Sequence, residues 1–190
     1  WTDGSFPFFW RWPEWYQTQI REGCNPWMSG DIPKCRIPQR KDKDESVYQG
    51  MRKKLEVSIG KGYLEIGLIH SLTSYFAVPK GLDDIRMVYD GTKSGLNDAM
   101  FAPWFPLPTV EKLLRVVDCG SYMGDIDVGE MFLNFIMHKS LRVHCGVDVT
   151  PYFPELKKSE DGTVWFRWSR CGMGFKNSPY VATQGLAIAE

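Results

Sequence analysis

The sequence predicts an α+β fold, and three stretches predict it. An apolar stripe recurs at helical spacing over residues 46–61. Two β-rich runs, 74–80 and 85–90, are separated by Gly81-Leu82-Asp83-Asp84, the composition of a hairpin turn. A third β-rich run, Trp165-Phe166-Arg167-Trp168, is followed by a glycine loop and a helix opened by Ser178-Pro179.

Before the first helix the chain is irregular. Phe6, Phe8, Phe9, Trp10, Trp12, Trp15 and Tyr16 crowd the opening stretch, while Pro7 and Pro13 interrupt any long helix. The expectation is an extended arm laid over a core, with base stacking as the alternative. Residues 23–46 are rich in Gly, Pro and mixed charge and read as a loop or linker. In the helix at 46–61, Val47, Met51, Leu55 and Ile59 form the stripe, Lys53 and Lys54 lie off it, and Gly60 and Gly62 end it.

Tyr63 to Ile69 fits a strand or a short helix. After the hairpin, Pro106-Leu107-Pro108 leads to a short helix capped by Thr109, with Lys112 and Arg115 near its end. Tyr122 to Val128 is a strand candidate, and the apolar run Gly129 to His138 is expected to become helical. Leu141 to Val149 alternates loosely, and Asp161-Gly162 reads as a hairpin turn.

Composition narrows the class. The 190 residues, 43% hydrophobic, suffice for one core. No apolar run approaches the roughly eighteen residues that would span a bilayer, and no signal segment is visible. With 23 basic and 23 acidic residues the chain is neutral. That argues against a basic nucleic-acid coat but permits a protein that gathers cations in one cleft. Cys24, Cys35, Cys119, Cys145 and Cys171 make no C-x-x-C pair and read as reduced thiols of an intracellular protein, cytoplasmic or nuclear. No metal-ligand spacing links them to His70, His138 or His144.

The most informative stretch is Ile126-Asp127-Val128-Gly129-Glu130-Met131-Phe132. A carboxylate at a strand end, followed at once by a turn, can present a ligand to magnesium, which prefers carboxylate, carbonyl and water oxygens. Asp127 and the Val128 carbonyl can supply two of them; the plainer alternative is that Asp127 caps the next helix.

Its neighbours extend the reading. In order come Phe76-Ala77-Val78-Pro79-Lys80, Ile85 to Asp90, Leu96-Asn97, Pro106-Leu107-Pro108, Asp127 to Phe132 and Gly174-Phe175-Lys176-Asn177-Ser178-Pro179. Together they resemble the reverse transcriptases of retroviruses and retroelements, over about residues 74–190. The resemblance implies fingers and an incomplete palm, with helices on one face of an antiparallel sheet. It divides the chain into an N-terminal region of unknown role (1–73), fingers (74–118) and partial palm (119–190).

The resemblance also implies roles. Lys80 and Arg86 match fingers residues that contact the incoming triphosphate; without it they would be two surface charges. Asp127 matches the first catalytic aspartate, with Val128 beside it as a metal ligand. Phe132 matches the aromatic under the sugar, which favours deoxynucleotides, though it also suits a core. Gly174, Lys176, Ser178 and Pro179 match the loop and helix lining the nucleotide and template site, Met173 just before them can pack on the nucleotide, and Arg170 can reach phosphate or remain on the surface.

Asp125 would share a strand face with Asp127, but the family requires no acid there. The implied reaction adds deoxynucleotides to a primer on an RNA or DNA template, using two magnesium ions about 4 Å apart. The family's paired aspartates, normally downstream, are not among the residues after Pro179. The chain is therefore expected to be a fragment, inactive alone, of an RNA-directed DNA polymerase of a mobile element. An RNA-directed RNA polymerase and a non-catalytic nucleic-acid-binding remnant are the alternatives.

Overall fold

A computed structural model describes residues 9–32, 34–81, 84–107, 109–124, 127–156 and 164–189. After a 3-10 turn at Phe9–Arg11, helix α1 covers Glu14–Glu22. It contradicts the expectation of an extended arm over residues 14–16. Pro13 stands immediately before the helix rather than inside it, where its fixed φ does no harm. Tyr16 is buried from this helix and meets the ring of Trp12, while Trp10 and Trp15 remain exposed.

The stretch read as a linker is largely irregular, with a two-residue strand β1, Trp27–Met28. It is nevertheless tied to the core. The Cys35 carbonyl accepts from the Leu72 amide at 2.7 Å. The Gln39 amide nitrogen donates to the Tyr75 carbonyl at 2.8 Å, and the Tyr152 hydroxyl donates to Asp42.

Helix α2, Glu45–Gly60, forms where the stripe predicts it, with the Asp44 carboxylate accepting from the Val47 amide as cap. Met51 and Leu55 are fully buried. Strand β2, Leu64–Leu68, resolves the ambiguity at 63–69. Strands β3, Ser74–Lys80, and β4, Asp84–Asp90, pair antiparallel in the expected hairpin, with Lys80 opposite Asp84. Helix α3, Leu96–Ala99, runs into strand β5, Met100–Phe101, which pairs with β1.

Thr109 does cap helix α4, Val110–Leu114, accepting from the Lys112 amide. That helix exposes Val110, Leu113 and Leu114. The expected strand at 122–128 does not form among the described residues: 121–124 and 127–128 are irregular, and Asp125 and Ile126 lie outside them. A strand exists only where a neighbour completes its hydrogen bonds, and none of the described strands pairs with these residues. The expected helix over 129–138 is only a 3-10 turn, Met131–Asn134, followed by isolated bridges at Ile136 and Met137.

Helix α5, Lys139–Arg142, leads to strand β6, Gly146–Val147. Strand β7, Val164–Trp168, forms as expected, and the Asp161-Gly162 turn lies outside the described residues. β7 sits between β2 and β6 in a three-stranded antiparallel sheet. Helix α6, Ser178–Ala189, closes the described chain. One core joins these pieces: Met51 and Leu55 from α2, Tyr75 and Tyr89 from the hairpin, Trp168 from β7, and Phe175. All five cysteines are unpaired. No helix among the described residues is long and apolar enough to cross a membrane.

Candidate functional site

A cleft of about 410 Å³ opens between the hairpin, α2 and the loop around Asp127. Lys80, Arg86, Asp127, Val128, Phe132 and Met173 all line it. Three separated parts of the sequence therefore converge on one cavity. Lys80 and Arg86 come from facing strands of the hairpin. Val78 is the cross-strand partner of Arg86, and alternation along β4 turns Arg86 away from Tyr89, which is buried in the core.

Asp127 is exposed on the cleft and has no hydrogen-bond or ion-pair partner among the described residues. It does not cap the turn that follows. The N-terminal position there belongs to Glu130, which makes no side-chain cap bond. Glu130 adopts the left-handed conformation, φ 51°, a geometry uncommon for a side chain of its kind. Its carboxylate is held from outside the loop, accepting from the Lys61 ammonium at 2.8 Å and the Tyr63 hydroxyl at 3.1 Å. The Lys61 bond is the main reason its pKa lies below the ordinary glutamate value, the Tyr63 bond adding to it and partial burial opposing. Those two bonds fix the turn between Asp127 and Phe132.

Phe132 is half-buried against Cys24, Cys171 and Val181 while one side lines the cleft. Both of its readings, core aromatic and site aromatic, describe its position. The floor is aromatic. Tyr89 packs edge-on against Trp168, ring centroids 4.6 Å apart, and stacks on Phe175. Burial pushes the Tyr89 phenol well above its ordinary value, so it stays neutral.

Met173 reaches the cleft because its loop is pinned. The Met173 carbonyl accepts from the Tyr89 amide at 3.0 Å. Gly174, φ +107°, crosses so close to the Tyr89 carbonyl that no β-carbon fits. Gly174 therefore acts through backbone. The Lys176 ammonium donates to the Met100 carbonyl at 2.7 Å, and Lys176 is not among the residues lining the cleft. Arg170 lies over the Tyr63 ring, near Glu130's partner.

Three residues with a part in this arrangement had no assigned role in the sequence reading. Asn97 donates to the Gly174 carbonyl at 2.9 Å and accepts from the Lys176 amide at 3.0 Å. The signal was its place in the Leu96-Asn97 motif. Lys61 holds Glu130, and Lys54 lines the cleft beside Lys80 and Arg86. Nothing local in the sequence marks either lysine.

For a metal, the described residues offer the unpaired Asp127 carboxylate and the adjoining Val128 carbonyl. This small, all-oxygen set suits magnesium, which keeps several waters and takes further oxygens from phosphates. No cluster of three or more His, Cys, Asp or Glu side chains placed to hold a metal ion exists among the described residues.

No family model matches the chain, and no curated protein does. Solved structures do. Native prototype foamy virus protease-reverse transcriptase matches with a TM-score of 0.62 at 16% identity, over 93% of this chain and 24% of that one. A selenomethionine-labelled mutant of the same viral protein matches with a TM-score of 0.62 at 18% identity, over 84% and 19%. The foamy viral protein in complex with RNA/DNA hybrid matches with a TM-score of 0.58 at 17% identity, over 83% and 19%. The chain has a reverse-transcriptase-like fold. It spans about a fifth to a quarter of the length of these three structures. Within the reverse-transcriptase-like fold, α+β with antiparallel sheets, the cleft lies where the hairpin faces the Asp127 loop.

Proposed function

We propose that this chain is the triphosphate-binding part of an RNA-directed DNA polymerase, its fingers and front palm. The observation carrying this reading is the convergence of Lys80, Arg86, Asp127, Val128, Phe132 and Met173 on one cleft. The structural likeness to foamy viral protease-reverse transcriptase, including its complexes with double-stranded DNA and RNA/DNA hybrid, supports it.

In this reading Lys80 and Arg86 bind the polyphosphate of a deoxynucleoside triphosphate. Arg86 has the fork that grips phosphate oxygens, and Lys80 adds a point charge. Asp127 and the Val128 carbonyl hold magnesium, which when bound supplies charge neutralisation at the reacting phosphates and activation of the primer hydroxyl. The ring of Phe132 lies under the sugar and excludes a 2′-hydroxyl. Met173 packs on the nucleotide, held in place by the Tyr89 and Gly174 backbone. A two-metal site needs further carboxylates beside Asp127.

The test is primer extension on an RNA template, with magnesium, by the intact protein that carries this chain. Extension with deoxynucleotides that Asp127→Asn abolishes supports the reading. Extension with ribonucleotides instead would favour an RNA polymerase. Template binding without extension in the intact polypeptide would leave a nucleic-acid-binding remnant.

A further inference from the structure

Helix α2 has no part in the resemblance, yet it forms one wall of the cleft. Lys54, Val57 and Ser58 line it together with Lys80 and Arg86. The helix gets there because Gly50 presents bare backbone to β4: a β-carbon on it would lie 2.9 Å from Ile85 Cδ1. Lys54 is one turn further along, on the same face. Its ammonium lies 3.0 Å from the Asp84 carboxylate. Asp84 is also the cross-strand partner of Lys80. One carboxylate at the hairpin end thus sits between two lysines, one on the rigid helix and one on the hairpin.

The pair does little for the fold. Both side chains are more than two-fifths exposed, and such surface pairs contribute little to stability. Glu130, the glutamate that lines the cleft, is already occupied by Lys61. Asp84 is therefore the group that occupies Lys54, and an incoming polyphosphate with more charge and more acceptor oxygens can displace it.

We propose that Lys54 is a third triphosphate-binding cation, paired with Asp84 until the phosphates of a nucleotide take its place. The proposal rests on the reading of this cleft as a nucleotide site. Its signature is that the two partners of one ion pair have opposite effects on binding. Lys54→Met removes a phosphate ligand, whereas Asp84→Asn frees one. A purely structural strap would give effects of the same sign, because either change breaks the same bond.

The experiment is calorimetric titration of the full chain with a magnesium deoxynucleoside triphosphate, with thermal melts confirming that every variant is folded. Lys54→Met is expected to weaken binding about tenfold, the scale of one lost charge-assisted bond. Lys54→Arg is expected to retain most of the affinity, and Asp84→Asn to tighten binding several-fold. Unchanged affinity in Lys54→Met, or weaker binding in Asp84→Asn, would overturn the proposal while leaving Lys80 and Arg86 as ligands. Indifference to Lys80→Ala and Arg86→Ala would instead overturn the nucleotide reading of the cleft, and this proposal with it.

Discussion

Gly174 and Tyr89 are in backbone contact: the Tyr89 carbonyl occupies the space that a β-carbon on residue 174 would need. This contact fixes the Met173 loop against strand β4. With φ at +107° the position is also strained for any L side chain. Gly174→Ala should cost more than about 3 kcal/mol, collision and strain combined. A urea titration of the two proteins measures it; a loss below about 1 kcal/mol would mean that the loop moves away at little cost.

Asn97 ties the same loop from the other side. Its side chain serves Gly174, Lys176 and Thr92 at once. Asn97→Ala should destabilise the chain by about 2 kcal/mol through unsatisfied backbone groups. Asn97→Asp should recover only part of this, since it keeps the acceptor for the Lys176 amide and loses the donor to Gly174. Equal stability of the alanine variant and the parent, in the same urea assay, would remove Asn97 from the architecture of the site.

Much of this fold was legible locally. The hairpin, α2, β7 and α6 are encoded by periodicity and turn residues within their own windows, and all four form. The stretch 122–138 was not legible. Its apolar residues resemble a strand and a helix, but among the described residues 121–124 and 127–128 pair with no strand, and 131–134 winds only a 3-10 turn. Helix α1 was missed because Pro13 read as a breaker although it marks a start. At the site, motif order located Lys80, Arg86, Asp127 and Phe132. Lys54 and Lys61 escaped because their partners, Asp84 and Glu130, are distant in sequence and meet them only in the folded chain.

Glu130 gives the turn beside Asp127 a pH dependence. Its pKa is lowered in the folded chain from the ordinary 4.5, chiefly by the Lys61 bond. A depressed carboxylate contributes stability that is present above its unfolded pKa and lost as pH falls through the folded pKa. The contribution is small, because Glu130 and Lys61 are each nearly half exposed. The stability difference between the parent and Glu130→Gln, measured by urea midpoint, should therefore be visible at pH 7 and vanish on acidification below 4.5. A difference that persists unchanged at pH 3 would show that the ion pair is not its source.

Phe132 should set sugar preference. If its ring lies under the sugar, Phe132→Ala admits a 2′-hydroxyl, and the preference for deoxy- over ribonucleoside triphosphate should fall by about tenfold or more. Competition binding with matched nucleotide pairs reads this directly. Equal loss of affinity for both sugars would assign Phe132 to packing against Cys24, Cys171 and Val181 alone.

In the proposed site Asp127 brings magnesium to a bound nucleotide. The most direct test is the affinity of the chain for a deoxynucleoside triphosphate with and without magnesium, in the parent and in Asp127→Asn. Magnesium should strengthen binding to the parent, and this gain should disappear in Asp127→Asn, while the magnesium-free affinity, supplied by Lys80 and Arg86, is kept. A magnesium gain of the same size in both proteins would contradict this role of Asp127.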